Sequence, residues 1–412
     1  MEGSGGLCLR ITMPLTPGTV FTAVAAAGTA GSLFFYFLSV PGLAGFLSDR
    51  QRKQSQALRS DAALPAVSIL KPLKGIDPGM WESFCSHCEQ DYPEFQLVFG
   101  VSEISDPAVA MVERLRSKYP ERAIELVVCG STLGTNIKVS NLAQMTRAAR
   151  HPVLVINDSD IRVPAKYLRE VVAPLADESV GLVTCLYRGA SSRTLGSRLE
   201  AVGIATDFVP GVLSARFLEK GLYFGMGSTL ALAGRDLAAI GGFEGLLDYL
   251  ADDYELGRRI AATGKRVELS ASTVTTFLPA YTIRQFLTHQ LRWWRTIRDA
   301  RPWGYVGMVF TFGLPWAALT VVAAQGARWA WILLGMTLTA RMAVAFGGSV
   351  LVLNERQFLG RALLVPLRDV IAPFLWLGGM LGNGIQWRGE RFRLSKGRLT
   401  IVEPASRADW KK

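Results

Sequence analysis

Three short stretches hold residues whose types and spacing could do chemistry. In Val153-Leu-Val-Ile-Asn-Asp158-Ser-Asp160 an apolar run leads straight into two carboxylates one residue apart. At a strand end such a pair can offer oxygens to a hard divalent cation, Mg²⁺ or Mn²⁺, that also holds substrate phosphates. A solvated turn would use the same residue types. In Leu250-Ala-Asp252-Asp253-Tyr254-Glu255 three acids open a helix. One acid serves as a cap; three exceed capping, and a carboxylate held near a hydroxyl can act as general base. In His289-Gln-Leu-Arg292-Trp293 the spacing puts His289, Arg292 and Trp293 on one helix face. Five arginines (Arg284, Arg292, Arg295, Arg298, Arg301) mix there with Trp293, Trp294 and Trp303 just before an apolar stretch. That mixture suits an interfacial helix, with one face toward lipid headgroups and the other toward an anion.

Lesser signals surround these. Lys71-Pro-Leu-Lys74-Gly75 ends an apolar run where a nucleotide would lie. Gly134-Thr-Asn136-Ile-Lys138-Val-Ser-Asn141 opens a helix whose free amides, with Lys138, favour a phosphate. Cys85-Ser-His87-Cys88 lacks the second ligand pair that zinc needs. The chain contains neither a P-loop nor Gly-x-Gly-x-x-Gly, and only three histidines.

Such groups need rigid elements behind them. Apolar runs bounded by turn residues predict strands at Val67–Leu70, Gln96–Val101, Ile124–Val128, Val153–Asn157, Gly181–Leu186, Thr229–Ala233 and Arg266–Leu269. Helical patterns such as Pro107–Lys118 and Asn136–Ala149 alternate with them. The expectation is an α/β domain, about residues 66–300, with a mostly parallel sheet covered by helices on both faces. Ligands then bind at the carboxyl ends of the strands.

The flanks differ. Of 412 residues, 50% are hydrophobic and only 19% charged, below the roughly 25% of ordinary soluble domains. This excludes disorder and argues against a purely soluble enzyme. The net charge of +11 points to anionic lipid or a phosphorylated substrate rather than nucleic acid. Thr19–Phe46 is long enough to span a bilayer. Residues 1–48 therefore read as a retained N-terminal anchor and 49–65 as a basic linker. Arg50, Arg52, Lys53 and Arg59, just beyond the span, put the linker and the α/β domain in the cytoplasm. Residues 301–388 form a C-terminal membrane region, with spans expected at Gly304–Gly326 and Trp329–Leu353. A re-entrant piece is expected at Ala362–Gln386, where Arg368, Asp369 and two prolines interrupt the apolar pattern. Residues 389–412 are a basic cytoplasmic tail.

The chain resembles family-2-like glycosyltransferases of the ceramide glucosyltransferase type, and more narrowly a bacterial branch associated with hopanoid biosynthesis. The likeness rests on Lys71-Pro-Leu-Lys-Gly75, Gln90-Asp-Tyr-Pro93, Asn136-Ile-Lys138 with Asn141, Asp158-Ser-Asp160-Ile-Arg162, Asp252-Asp253-Tyr254 and Arg292-Trp293. The family has three acidic positions followed by Gln/Arg-x-x-Arg-Trp. These fall on Glu103 (where the family usually has Asp), Asp158 and Asp253, and His289 opens the last motif. Phe208 stands where the animal ceramide enzymes carry a histidine. The resemblance implies a GT-A fold with transmembrane helices at both ends, a UDP-sugar donor, a membrane-lipid acceptor and inversion at the anomeric carbon. Lys71, Glu103, Lys138, Asn141 and Asp158 would bind the nucleotide, and Asp158 and Asp160 the metal. Asp253 would be the base, Arg292 would face the diphosphate, and Trp293, with His289 beside it and Phe208, Val209 and Pro210 opposite, would wall the acceptor. The branch implies transfer of N-acetylglucosamine from UDP-N-acetylglucosamine to bacteriohopanetetrol in a bacterial inner membrane, with the catalytic domain cytoplasmic. The alternatives are glucose transfer from UDP-glucose to ceramide or diacylglycerol, a processive synthase, and an inactive membrane scaffold.

Overall fold

A computed structural model of the chain describes residues 16–59, 64–387 and 390–401. Eight strands form one sheet: β1 (Val67–Pro72), β2 (Phe95–Val101), β3 (Ala123–Val128), β4 (Val153–Ile156), β5 (Ile161–Arg162), β6 (Val180–Ala190), β7 (Leu230–Ala233) and β8 (Arg266–Phe277). Every residue of β1, β2 and β4 is buried, which is why these strands read as unbroken apolar runs rather than alternating ones.

The strand order is β3-β2-β1-β4-β7-β6-β8-β5. Strands β1 to β4 are mutually parallel, and β6 is parallel to β8. The short β7 runs antiparallel between β4 and β6, and β5 is antiparallel at the edge. Six of the eight strands therefore run in one direction and the sheet is mostly parallel, as expected, with β7 and β5 reversed. An antiparallel strand needs no crossover helix, so nothing in the apolar pattern betrays the reversal.

Helices α2 (Met80–Cys88), α3 (Ala108–Lys118), α4 (Ile137–Met145), α5 (Tyr167–Val172), α8 (Gly234–Ala239) and α9 (Asp252–Ala262) cover the sheet. Two apolar cores, one on each side, share its strands.

The apolar flanks fold as helices: α1 (Pro17–Arg59) before the sheet, and α11 (Pro302–Gly307), α12 (Gly313–Ala323), α13 (Arg328–Phe346) and α14 (Leu364–Met380) after α10 (Ile283–Ala300). Among the described residues three helical segments are long and apolar enough to cross a membrane: Pro17–Ser55, Leu195–Leu218 and Arg328–Val352. Over the expected span Gly304–Gly326 two helical pieces, Pro302–Thr311 and Gly313–Ala323, together apolar enough for a span, meet at a 56° bend. The break lies where Gly313 packs on α1: a Cβ there would stand 2.6 Å from the Tyr36 hydroxyl. Helix α14 has 17 residues, about 25 Å, short of a roughly 30 Å hydrocarbon core. Arg341, the charge interrupting the second expected span, is buried and paired with Asp369 and Asp207 at 2.7 and 2.6 Å, as an ionisable group in an apolar helix must be.

Leu195–Leu218, assigned from sequence to the soluble domain, is a continuous helical segment: α6 (Leu195–Gly203), a π-turn at Ile204–Phe208 and α7 (Val209–Leu218). It packs against α1, α13 and α14. Its charges (Arg198, Glu200, Asp207, Arg216) hid its apolar character. In the tail region, β9 (Gly384–Trp387), β10 (Glu390–Ser395) and β11 (Arg398–Ile401) form a second, antiparallel sheet; residues 402–412 lie outside the described part.

Candidate active site

The carboxyl ends of β1 and β4 are neighbours, which brings Lys71 and Asp158 together. Lys71 is fully buried, and its Nζ donates to the Asp158 carbonyl at 2.9 Å. Burial drives its ammonium down to about 7 against the pull of Asp160 and Asp158. Lys138, in the first turn of α4, places Nζ 2.8 Å from Asp158 Oδ1 and 3.4 Å from Asp252 Oδ2. Burial alone would lower its pKa, but Asp158, Asp252 and Asp253 outweigh it and hold the charge. Asn136 caps α4 by accepting from the Val139 N–H and donates to the Tyr249 carbonyl at 2.7 Å, tying the helix start to the acidic loop.

Asp253, at the start of α9, accepts from the Gly227 N–H at 2.6 Å and from the Tyr254 N–H at 2.8 Å. Its carboxyl is pushed up to about 6 by burial and by Asp252, with Lys138 opposing. A Cβ on Gly227 would lie 3.1 Å from Asp253 Oδ2 and 3.3 Å from Asp158 Oδ2. The two carboxylates therefore meet over one glycine. Gly225 and Gly257 permit this approach, since a Cβ on Gly257 would come within 2.2 Å of the Gly225 nitrogen.

Asp160 also rises to about 6, through burial and then repulsion from Asp158, partly offset by the Thr276 hydroxyl at 2.5 Å. Two crowded oxygen donors of this kind suit a hard cation, which would relieve their repulsion. Among the described residues no group of three or more His, Cys, Asp or Glu could hold a metal by itself. The Cys85–Cys88 stretch is structural: its cysteines are buried and free, and His87 bonds the Ser83 carbonyl and Asn157 Oδ1.

Not every expected residue joins the cluster. Glu103 is exposed beyond β2, its carboxylate accepting from Ser105, and β1 separates its strand from β4. Asn141 is buried and accepts from Ser102 at 3.2 Å. Gly227 and Asn157 escaped sequence reasoning. Asn157, fully buried behind Asp158, donates to the Ser228 carbonyl at 2.7 Å and so binds the β4 end to the Gly225–Ser228 loop. That Gly-Met-Gly-Ser string was its only signal.

The acceptor-side residues gather along an aromatic run. His289 stacks on Tyr281 with centroids 5.3 Å apart and lies 5.8 Å from Trp293. Trp293 meets Phe208 edge to face at 6.0 Å, and Phe208 reaches Tyr187 at 5.1 Å. Tyr187, on β6, joins this wall to the acids: burial, Asp253, Glu200, Asp158 and Asp160 all raise its hydroxyl pKa. His289 Nδ1 lies 3.4 Å from Glu200, itself buried on α6. Val209 and Pro210 are buried beside Phe208 and offer no exposed wall. Arg292 lines a neighbouring cleft with Arg295 and the C-terminal sheet.

The profile of glycosyl transferase family 21 matches residues 34–400, which takes in this whole arrangement. The chain belongs to that family. As a family-21 glycosyltransferase it is similar to ceramide glucosyltransferase 3 of Caenorhabditis elegans, 24% identical over 392 residues, covering 92% of this chain and 82% of the relative. Ceramide glucosyltransferase 1 of the same organism is 25% identical over 350 residues, covering 82% and 73%. The fold is shared with a mannosyltransferase from Pyrobaculum calidifontis, solved in complex with GDP-Man and Mn²⁺, at a TM-score of 0.50 and 20% identity over 87% of this chain and 96% of that one. The named relatives are ceramide enzymes, and they lend no support to the narrower hopanoid expectation.

Proposed function

We propose that this family-21 enzyme transfers a hexose, with inversion, from a UDP-sugar to the hydroxyl of a membrane lipid, with UDP-glucose and a ceramide-type lipid as the pair its relatives favour. The observation that carries the reading is the convergence of Asp158 and Asp253 over Gly227, beside an aromatic wall that includes Phe208 of the helical segment Leu195–Leu218, which is long and apolar enough to cross a membrane.

The lipid hydroxyl enters along Trp293 and Phe208 and attacks the anomeric carbon. Its new C–O bond forms as the bond to the UDP oxygen breaks. The proton passes to Asp253, whose raised pKa sits near working pH, where a general base is most effective. The two N–H donors on Asp253 fix the carboxylate in place. Lys138 faces the diphosphate and balances the charge that UDP gains on leaving; Lys71 holds the strand end that carries Asp158. Asp158 and Asp160 would hold Mg²⁺ or Mn²⁺, whose chemistry there is neutralisation of diphosphate charge. Glu103, Asn141 and the nucleotide's base lie on the β2 side. His289, fixed by Tyr281 and Glu200, supports Trp293.

A second reading, sugar transfer to a polyhydroxylated hopanoid, is favoured by Phe208, which gives the wall an apolar ring suited to a rigid lipid. One experiment tests both. Purified enzyme is given UDP-glucose or UDP-N-acetylglucosamine with ceramide, diacylglycerol or bacteriohopanetetrol, and products are read by mass spectrometry. Glucosylceramide supports the first reading, glycosylated hopanoid alone the second, and UDP-sugar hydrolysis without any lipid product contradicts both.

A further inference from the structure

The C-terminal sheet carries charge that this reaction does not use. Its register aligns Arg391 with Gln386, Arg393 with Thr400 and Gly384, and Arg398 with Ser395. Alternation along the strands sets these rows on the face opposite Ile385, Phe392, Leu394 and Leu399, which are buried together with Leu250. Arg391, Arg393 and Arg398 are exposed, as is Lys396 in the connecting turn.

Helix α14 sets the position of this sheet. It exposes an apolar stripe at Leu367, Val370, Phe374 and Leu377 that runs on to Leu381, a spacing of three and four that marks one side of the helix. Strand β9 begins at Gly384, and the turn between is held by α10. Arg298 donates to the Gly379 and Met380 carbonyls at 2.6 and 3.1 Å, and Arg295 to that of Leu381 at 3.0 Å. The basic sheet thus starts where a helix with an exposed apolar stripe stops. Beside it, a cleft of about 360 Å³ between α10 and the sheet is lined by Arg292, Arg295 and Arg391 over Leu291, Ile385 and Phe392, cations above an apolar floor.

The other edge of the sheet reaches the acidic loop. The Leu250 N–H donates to the Gly397 carbonyl at 3.0 Å, the Leu399 N–H to the Asp248 carbonyl at 2.7 Å, and the Thr135 hydroxyl to the Leu399 carbonyl at 3.3 Å. Asp252 and Asp253 come directly after Leu250 and Ala251.

We infer that the Arg391/Arg393/Arg398 face docks on anionic phospholipid headgroups of the enzyme's own membrane, and that this contact holds the Asp248–Asp253 loop in its working position. Charge complementarity and the start of the sheet at the end of α14 select this occupant, because a polybasic surface beside a membrane helix is drawn to anionic lipid and loses that attraction in salt. The inference rests on the chain being a membrane glycosyltransferase, not on which lipid accepts the sugar.

The full chain in nanodiscs of phosphatidylcholine, alone or with phosphatidylglycerol, tests it in two ways. Native mass spectrometry should show phosphatidylglycerol retained in preference to phosphatidylcholine by the wild type and R391K/R393K, and lost from R391Q/R393Q. Sugar transfer should be several-fold faster with phosphatidylglycerol, the gain disappearing at high salt and in R391Q/R393Q. Equal retention of the two lipids by the wild type, or equal retention of phosphatidylglycerol by wild type and R391Q/R393Q, overturns the docking. A rate indifferent to phosphatidylglycerol overturns the coupling to the loop. The lipid-retention arm needs no turnover, so a wrong acceptor assignment leaves it readable.

Discussion

Asp253 takes the backbone N–H of Gly227 at 2.6 Å, so the group placed to accept a proton is positioned by a loop that carries no chemistry of its own. The carboxyl sits near 6 because burial and Asp252 disfavour its charge. A base works only when unprotonated. Transfer should therefore fall as pH drops through about 6, a limb that a pH profile of kcat/KM for the donor, which reports the free enzyme, will show.

Gly227→Ala should be damaging out of proportion to its size. The added methyl would crowd both carboxylate oxygens at 3.1 and 3.3 Å. Displacing either by a fraction of an ångström misaligns the reacting groups, and a loss in kcat on the order of 10²-fold is expected. Circular dichroism should report an unchanged fold. Wild-type kcat in this variant would mean that the two acids do not act together.

The metal is tested by chelation. If Asp158 and Asp160 hold Mg²⁺ or Mn²⁺ on the diphosphate, excess chelator should abolish transfer and either ion should restore it. Asp158→Asn should bind the donor weakly even with metal present, as isothermal titration with UDP would show. Full activity in chelator would mean that transfer needs no metal.

Phe208→Asp puts a charge where Trp293 and Tyr187 now meet an apolar ring. The lipid KM should rise by roughly tenfold or more, since about 1.4 kcal/mol of lost apolar contact is tenfold, while the UDP-sugar KM stays near the wild-type value. An equal rise in both would place Phe208 outside the acceptor wall.

The parts of this site that could be read in the sequence are those where one segment carries both strand and function. Val153–Asp160 is such a segment: a buried strand announces itself by its apolar run, and the acids come after it without a break. Asp253 and Lys138 were legible because each opens a helix. Gly227 and Asn157 were not. A glycine reveals close approach only when its neighbour is known, and the Asn157 amide reads as any strand-end residue until the Ser228 carbonyl appears beside it. The direction of β7 was hidden because four apolar residues look alike in either polarity. The C-terminal sheet was hidden by its arginines: Phe392 and Leu394 alternate with Arg391 and Arg393 as a half-buried strand should, but the run is short and basic enough to pass for a tail.

Activation of a membrane-lipid hydroxyl by Asp253 toward a UDP-sugar is tested most directly by single-turnover transfer. Wild type and Asp253→Asn are given UDP-glucose and ceramide in the same nanodiscs, with UDP binding measured in parallel. If Asp253 is the base, the variant should be slower by about 10²–10⁴ with UDP affinity retained. Transfer by Asp253→Asn at the wild-type rate would contradict that role.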